Sequence, residues 1–113
     1  MKKRRKLSRT AEHRKMLLRM LATSLFRYEK IRTTYAKAKE LEMYASRIIE
    51  IAKKGNLDSR RRVHAMINDD AVCNKIFTAI APRYKNRTGG YISVLKLGRR
   101  LSDGALMSLV RLI

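Results

Sequence analysis

The chain has 113 residues, with 28 Lys and Arg against 9 Asp and Glu, and a formal charge of +19. That length supports one domain with a modest core, and 45% hydrophobic residues exclude a merely disordered polybasic tail. Like charges at this density repel one another, so the partner is a polyanion, nucleic acid or an acidic membrane surface.

In chain order, Lys2, Lys3, Arg4, Arg5 and Lys6 form a run of five cations with no periodic apolar partner. Such a run reads as an extended arm over residues 1–9 that orders only on an anion. It lacks the apolar centre of a signal peptide. Residues 10–113 read as a single domain. Basic residues continue through Arg9, Arg14, Lys15 and Arg19, so the cations concentrate on the arm and the first helix.

That helix begins after Thr10, whose hydroxyl is placed to cap the first turn, with Glu12 facing the positive end of the dipole. Leu17, Leu18, Leu21, Leu25 and Tyr28 share one face at core-facing spacing. Met16 and Phe26 fall off that stripe and predict a second contact surface. No Gly or Pro separates the helix from Lys30 to Thr34, a short strand by its β-branched content and alternation.

Thr34 is placed to cap a second helix, Tyr35 to Lys54, with Ala38, Leu41, Ala45, Ile48 and Ala52 inward and Gly55 as its stop. Its outer face reads as balanced charge, Lys37, Lys39, Lys53 and Lys54 against Glu40, Glu42 and Glu50. Asp58 then caps a third helix bearing Arg60, Arg61 and Arg62 over Val63, Met66 and Ile67. Three arginines at a helix N-terminus oppose the dipole, a local conflict that a bound phosphate would offset. Asp69 or Asp70 caps a fourth helix with Val72, Ile76, Phe77 and Ile80 inward, and Pro82 is expected to close it by disfavouring helical backbone at Ala81.

The loop Arg83 to Gly90 holds three cations, among them Lys85 and Arg87, an aromatic, and the pair Gly89 and Gly90, which fit either a turn or a close backbone approach. Tyr91 to Leu97 and Leu106 to Leu112 read as strands around a turn carrying Arg99 and Arg100. Tyr84 and Tyr91 flank the loop, as base-stacking rings or as core. The order α-β-α-α-α-β-β predicts an α/β domain of the α+β type, with helices over one face of a small mixed three-stranded sheet.

No catalytic or metal constellation stands out. His13 and His64 are far apart in sequence, and no carboxylate pair or ligand spacing accompanies them. His13 beside Arg14 reads as a phosphate or base contact, His64 as a surface or packing residue, and the lone Cys73 as a small buried hydrophobe. A single cysteine excludes an intramolecular disulfide and fits a reducing compartment. No cofactor and no small-molecule substrate are expected.

Three segments, KLSRTAEHRKMLLRMLATSL, EKIRTTYAKAKEL and RTGGYISVLKLGRRLSDGALM, span nearly the whole chain in order. Their motifs RT..HR, I.TT.AKAKE and R.GGY..VLKLG.R resemble the bacterial family of large-subunit ribosomal proteins numbered seventeen. The resemblance implies a structural domain bound to large-subunit ribosomal RNA near the nascent-chain exit, beside other basic ribosomal proteins. That places it in the bacterial cytoplasm or an organelle's ribosome. Carried over by position, it implies RNA contacts at Lys2 to Lys6, Arg9, Thr10, His13, Arg14, Arg60 to Arg62, Arg87, Gly89, Gly90, Lys96, Arg99 and Arg100; the basic runs add Lys15 and Lys85. SDGALMS departs from the family's GDAAPMA-like turn, with Leu106 in place of the proline.

Two readings from other classes compete. The third and fourth helices, joined by Asn68, Asp69 and Asp70, resemble a DNA-reading helix-turn-helix, although the fourth helix has few polar side chains to offer base edges. The first helix resembles a basic amphipath lying on an anionic membrane, although the strand that follows wants it as core.

Overall fold

A computed structural model describes residues 11–113. The arm at 1–9 and the proposed cap at Thr10 lie outside the described residues. Four helical regions and three strands follow in the expected order. They are α1 (Ala11–Tyr28), β1 (Lys30–Thr34), α2 (Tyr35–Ala52), α3 (Leu57–Met66), α4 (Asp70–Lys75), a π-helical turn (Ile76–Ile80), α5 (Ala81–Arg83), β2 (Ile92–Arg99) and β3 (Leu106–Leu112).

The sheet order is β1-β3-β2, so the last strand lies in the middle. Both pairings are antiparallel, with Lys30 opposite Arg111 and Ile92 opposite Leu112, which corrects the expected mixed sheet. A parallel pair needs a crossover that returns the chain in the same direction. Here β2 and β3 form a hairpin and β1 docks on its free side against the direction of β3. A bulge between Lys96 and Gly98 leaves Leu97 without an opposite residue.

Strand alternation places Ser108, Val110 and Leu112 of β3 under the helices, while Leu109 and Arg111 face away. α2 packs across all three strands, and α1 across β1 and β3. The core joins Leu25 and Phe26 of α1 to Leu41, Ile48 and Ile49 of α2, then to Val63, Ile67, Ile76 and Ile80, and to Val110 in the sheet, all fully buried. Each such side chain stabilises the fold by roughly 1.5 to 3 kcal/mol relative to exposure.

The α1 stripe is rotated from the expected one. Leu18, Ala22, Leu25 and Phe26 are buried, whereas Tyr28 is 64% exposed. Phe26 is therefore core, and the outer surface keeps only Met16 and, unforeseen, Met20. The end of α1 is anchored in keeping with that orientation. Glu29 takes φ +65°, a left-handed conformation usually left to Gly, and its N–H donates to Leu25 O at 2.7 Å. That single bond closes the last turn, and Tyr28 is left at the helix's open end. The carbonyl of Glu29 accepts from the N–H of Leu112 at 3.0 Å, and its carboxylate from Arg83 at 2.5 and 3.2 Å. Lys75 Nζ lies 3.3 Å away, so one turn residue binds α1 to β3, α4 and α5.

Three other local expectations shift. Thr34 occupies the cap position of α2 with no side-chain cap bond. α3 is capped by Asn56, not Asp58, the Asn56 Oδ1 accepting from Ser59 N at 2.8 Å. Asp69 does cap α4, accepting from Val72 N at 3.1 Å. Pro82 does not end the helix at Ala81, which stays helical at φ −59° and ψ −44°. Instead the π turn just upstream shifts the Ala81 N–H onto Ile76 O, widening the helix where a proline ring would meet the preceding turn. The chain then continues helical to Arg83.

Candidate nucleic-acid interface

The described candidate residues fall on four places. At the start of α1, His13 and Lys15 are exposed, but Arg14 is half-buried and donates to Glu40, itself 3% exposed. Glu40 is therefore not part of a balanced outer face on α2; it neutralises a cation that the sequence placed on the RNA side. An unpaired buried carboxylate would be costly, which is why the arginine turns inward. Beside it, Arg14, Lys15 and Arg19 line a shallow depression with Tyr44. Burial pushes the Tyr44 phenol up, although Arg19 acts against it, and its hydroxyl donates to Met66 O at 2.9 Å.

On α3, Arg60, Arg61 and Arg62 are all exposed. Arg60 lies over Phe77, its guanidinium carbon 4.7 Å from the ring centroid. In the loop after α5, Lys85 and Arg87 are exposed, and Gly89 and Gly90 have φ +96° and +64°. A Cβ at either glycine would meet nothing within 4 Å, so backbone conformation alone requires glycine there. The loop is tied down by Lys53, whose Nζ donates to Arg87 O at 2.5 Å and to Tyr91 Oη at 2.9 Å. Among the described residues, Lys15, Arg60, Arg61, Arg62, Lys85 and Arg87 make no ion pair.

At the hairpin, Lys96 lies 4.9 Å from the Tyr35 ring centroid, and Arg99 donates to Gly104 O at 2.9 Å. Arg100 grips Asp103 through two bonds of 3.0 and 2.7 Å, holding that carboxylate down at about 2. This pair shapes the tip, and only part of the Arg100 charge is available outward.

Tyr84 and Tyr91 are core residues, 2% and 1% exposed, meeting edge to face at 5.2 Å. Their hydroxyls bond Ile113 O and Glu50, so they are not base-stacking rings. Sequence reasoning passed over three cations on the uncovered face of the sheet, Lys30, Arg32 and Arg111, all exposed. The alternation in β1 is their signal, since residues 30 and 32 share the face opposite buried Thr33.

The fold also brings Cys73, His64 and Asp70 together, a grouping that sequence distance concealed. Cys73 Sγ is 3.9 Å from His64 Nδ1, and His64 Nε2 is 2.8 Å from Asp70. It is not a nucleophile arrangement. The thiol is buried, donates to Ile67 O, and is pushed up first by burial and then by the charges of Asp70 and Asp69, the reverse of what a reactive thiolate needs. Among the described residues no group of His, Cys, Asp and Glu could hold a metal ion.

The competing readings lose their footing in this packing. Val72, Ile76 and Ile80 bury the face that a recognition helix would have to free, and α4 runs only six residues before the π turn. The apolar stripe of α1 is spent on the core, and no helix among the described residues is long and apolar enough to cross a membrane.

A small core carrying exposed cations on two helices and one loop, with no ion pair at those positions among the described residues, defines a highly basic structural domain. The sequence profile of the family described as ribosomal protein L17 matches residues 17–113. The chain belongs to that family, which is structural and not enzymatic. The large ribosomal subunit protein bL17 of Trichlorobacter lovleyi is 45% identical over 109 residues, covering 96% of this chain and 88% of its own. The protein of the same name from Caldanaerobacter subterraneus is 46% identical over 96% of this chain and 97% of its own, and that of Endomicrobium trichonymphae 47% identical over 96% and 92%.

Proposed function

We propose that the chain is a structural constituent of the large ribosomal subunit that binds and stabilises large-subunit ribosomal RNA. Family membership and the names of its relatives support the subunit. The distribution of exposed cations without carboxylate partners supports the RNA contacts. The arm Lys2 to Lys6 with Arg9, Thr10 and His13, the arginines of α3, the loop at Lys85 to Gly90 and the hairpin at Lys96 to Arg100 grip phosphates from several directions. The folded domain pins the arm from the surface, near the exit region and beside other ribosomal proteins. Arginine forks suit junctions where several RNA helices meet, because they hold phosphate bidentately and stack on bases. Cytoplasmic ribosomes of bacteria are its setting.

The observation that carries this reading is that Lys15, Arg60, Arg61, Arg62, Lys85 and Arg87, on three different elements, are exposed and make no ion pair among the described residues. Sedimentation of a lysate in a salt-washed gradient tests it. Co-migration with the large subunit through a moderate wash is the expected result, and a chain found with bulk DNA, with membranes or free would refute it. On isolated ribosomal RNA, log affinity falls with log salt at about −0.9 per duplex phosphate contacted and −0.7 on single strands. Deleting residues 1–9 lowers that slope and the affinity more than it lowers fold stability.

A further inference from the structure

Between the end of α2, the first turn of α3 and the π turn lies a cavity of about 350 Å3 that the phosphate-binding reading leaves unused. Its floor is apolar, with Ala81 buried and Pro82 beside it, and one wall is the half-buried ring of Phe77. Its rim carries three cations, Lys53, Arg60 and Lys85, and none of the residues lining it has a carboxylate. Lys53 is held by Arg87 O and Tyr91 Oη, whereas Arg60 rests on Phe77 and Lys85 makes no side-chain bond among the described residues.

An open concavity with an aromatic wall, a guanidinium stacked on that wall and an all-positive rim matches one chemistry: a planar heterocycle attached to phosphates. A duplex cannot enter a concavity of this size, and an acidic peptide would leave the outer plane of the Arg60 guanidinium without a stacking partner. Resting on the RNA-binding reading, we propose that the cavity receives a single unpaired base of the bound RNA. The base stacks on the outer face of the Arg60 guanidinium, which Phe77 supports from beneath, and the phosphates flanking it lie on Lys85 and Lys53. Single-stranded and loop bases are the part of an RNA that a protein can take out of the stack in this way. The site would add selectivity for an extruded nucleotide to an interface that otherwise reads only charge.

The test measures binding of the full chain to two RNAs of equal charge, an abasic ribose-phosphate octamer and the same octamer with one central adenine. The wild-type chain is expected to prefer the base-bearing octamer by about tenfold, the size of one stacked base. Phe77→Leu, which keeps an apolar side chain at a half-buried position, and Arg60→Gln, which lies at the surface, are each expected to bring the two affinities close to parity. Thermal melts establish that both variants fold, and Arg60→Gln carries the test alone if Phe77→Leu does not. Equal wild-type affinity for the two octamers, or a preference that survives both substitutions, would overturn the cavity while leaving the RNA-binding reading intact. Displacement of the octamer by free AMP at comparable concentration would mark a mononucleotide site and overturn it too. Failure of the wild-type chain to bind the octamers while it still binds ribosomal RNA would overturn the cavity alone, and failure to bind ribosomal RNA as well would overturn both.

Discussion

Arg83 reaches back across 54 positions to grip both carboxylate oxygens of Glu29, at 2.5 and 3.2 Å. Glu29 thereby stays ionised well below the ordinary carboxylate range, at about 2 instead of 4.5, chiefly through the Arg83 bonds, with Lys75 adding to them against a cost of burial. The pair is more than a third exposed, and solvent screens it, so its contribution is about 0.2 to 1 kcal/mol. A folded-state value below the unfolded one means this stability is fully present above pH 4.5 and is lost as pH falls toward 2. Denaturant melts of the wild-type chain and Glu29→Gln should therefore differ at pH 6 and converge only as pH falls through about 2.

The rotated face of α1 makes a sharp contrast between neighbours. Phe26→Ala should destabilise by roughly 3 to 5 kcal/mol, because it empties a fully buried position. Tyr28→Ala, at a position 64% exposed, should change stability by no more than about 0.5 kcal/mol. Urea denaturation of the two variants decides between this face and one centred on Tyr28.

Removing the Tyr84 hydroxyl tests its assignment to the core. Tyr84→Phe loses the 2.6 Å bond to Ile113 O and should cost about 1 kcal/mol. It should leave RNA affinity unchanged once melts show the variant folded. A drop in affinity at full stability would return the ring to the interface.

Burial of Cys73 predicts slow chemistry. In native buffer the thiol should react with a disulfide reagent at least tenfold more slowly than in denaturant, since it is 7% exposed and held toward its protonated form. Reaction timed at pH 8 with and without urea measures this.

At the glycines of the basic loop, the φ values of +96° and +64° set the cost of change. Gly89→Ala and Gly90→Ala should each destabilise by about 1 kcal/mol from backbone strain, with no steric clash to add to it. Thermal melts against the wild type read the effect directly.

Element order and most of the core were legible because periodicity is local, whereas of the expected caps only Asp69 makes its bond among the described residues. β1 falls on the residues its alternation predicted and β3 on the apolar run from Leu106 to Leu112, and the inward positions of α2 are buried as expected. What was hidden was long-range. The left-handed backbone at Glu29 has no glycine to announce it, and the carboxylates of Glu40 and Glu29 find their cations 26 and 54 positions away. The π turn that admits Pro82 into a helix has no composition signal either. On the candidate interface, exposure of the arginines at 60–62 follows from the apolar face behind them. The turning inward of Arg14 depends on where α2 lands, which no local pattern contains.

The order β1-β3-β2 has a bearing on the chain's own synthesis. Residues 30–34 and 92–99 are made before the strand that separates them, and each gains its ladder partner only from residues 106–112. While the chain is being elongated, two β-prone segments are made before the strand that pairs their backbone. Their strong positive charge then does a second job, since Lys30, Arg32, Lys96 and Arg99 in those segments discourage the strand-to-strand association between nascent copies that an open sheet invites.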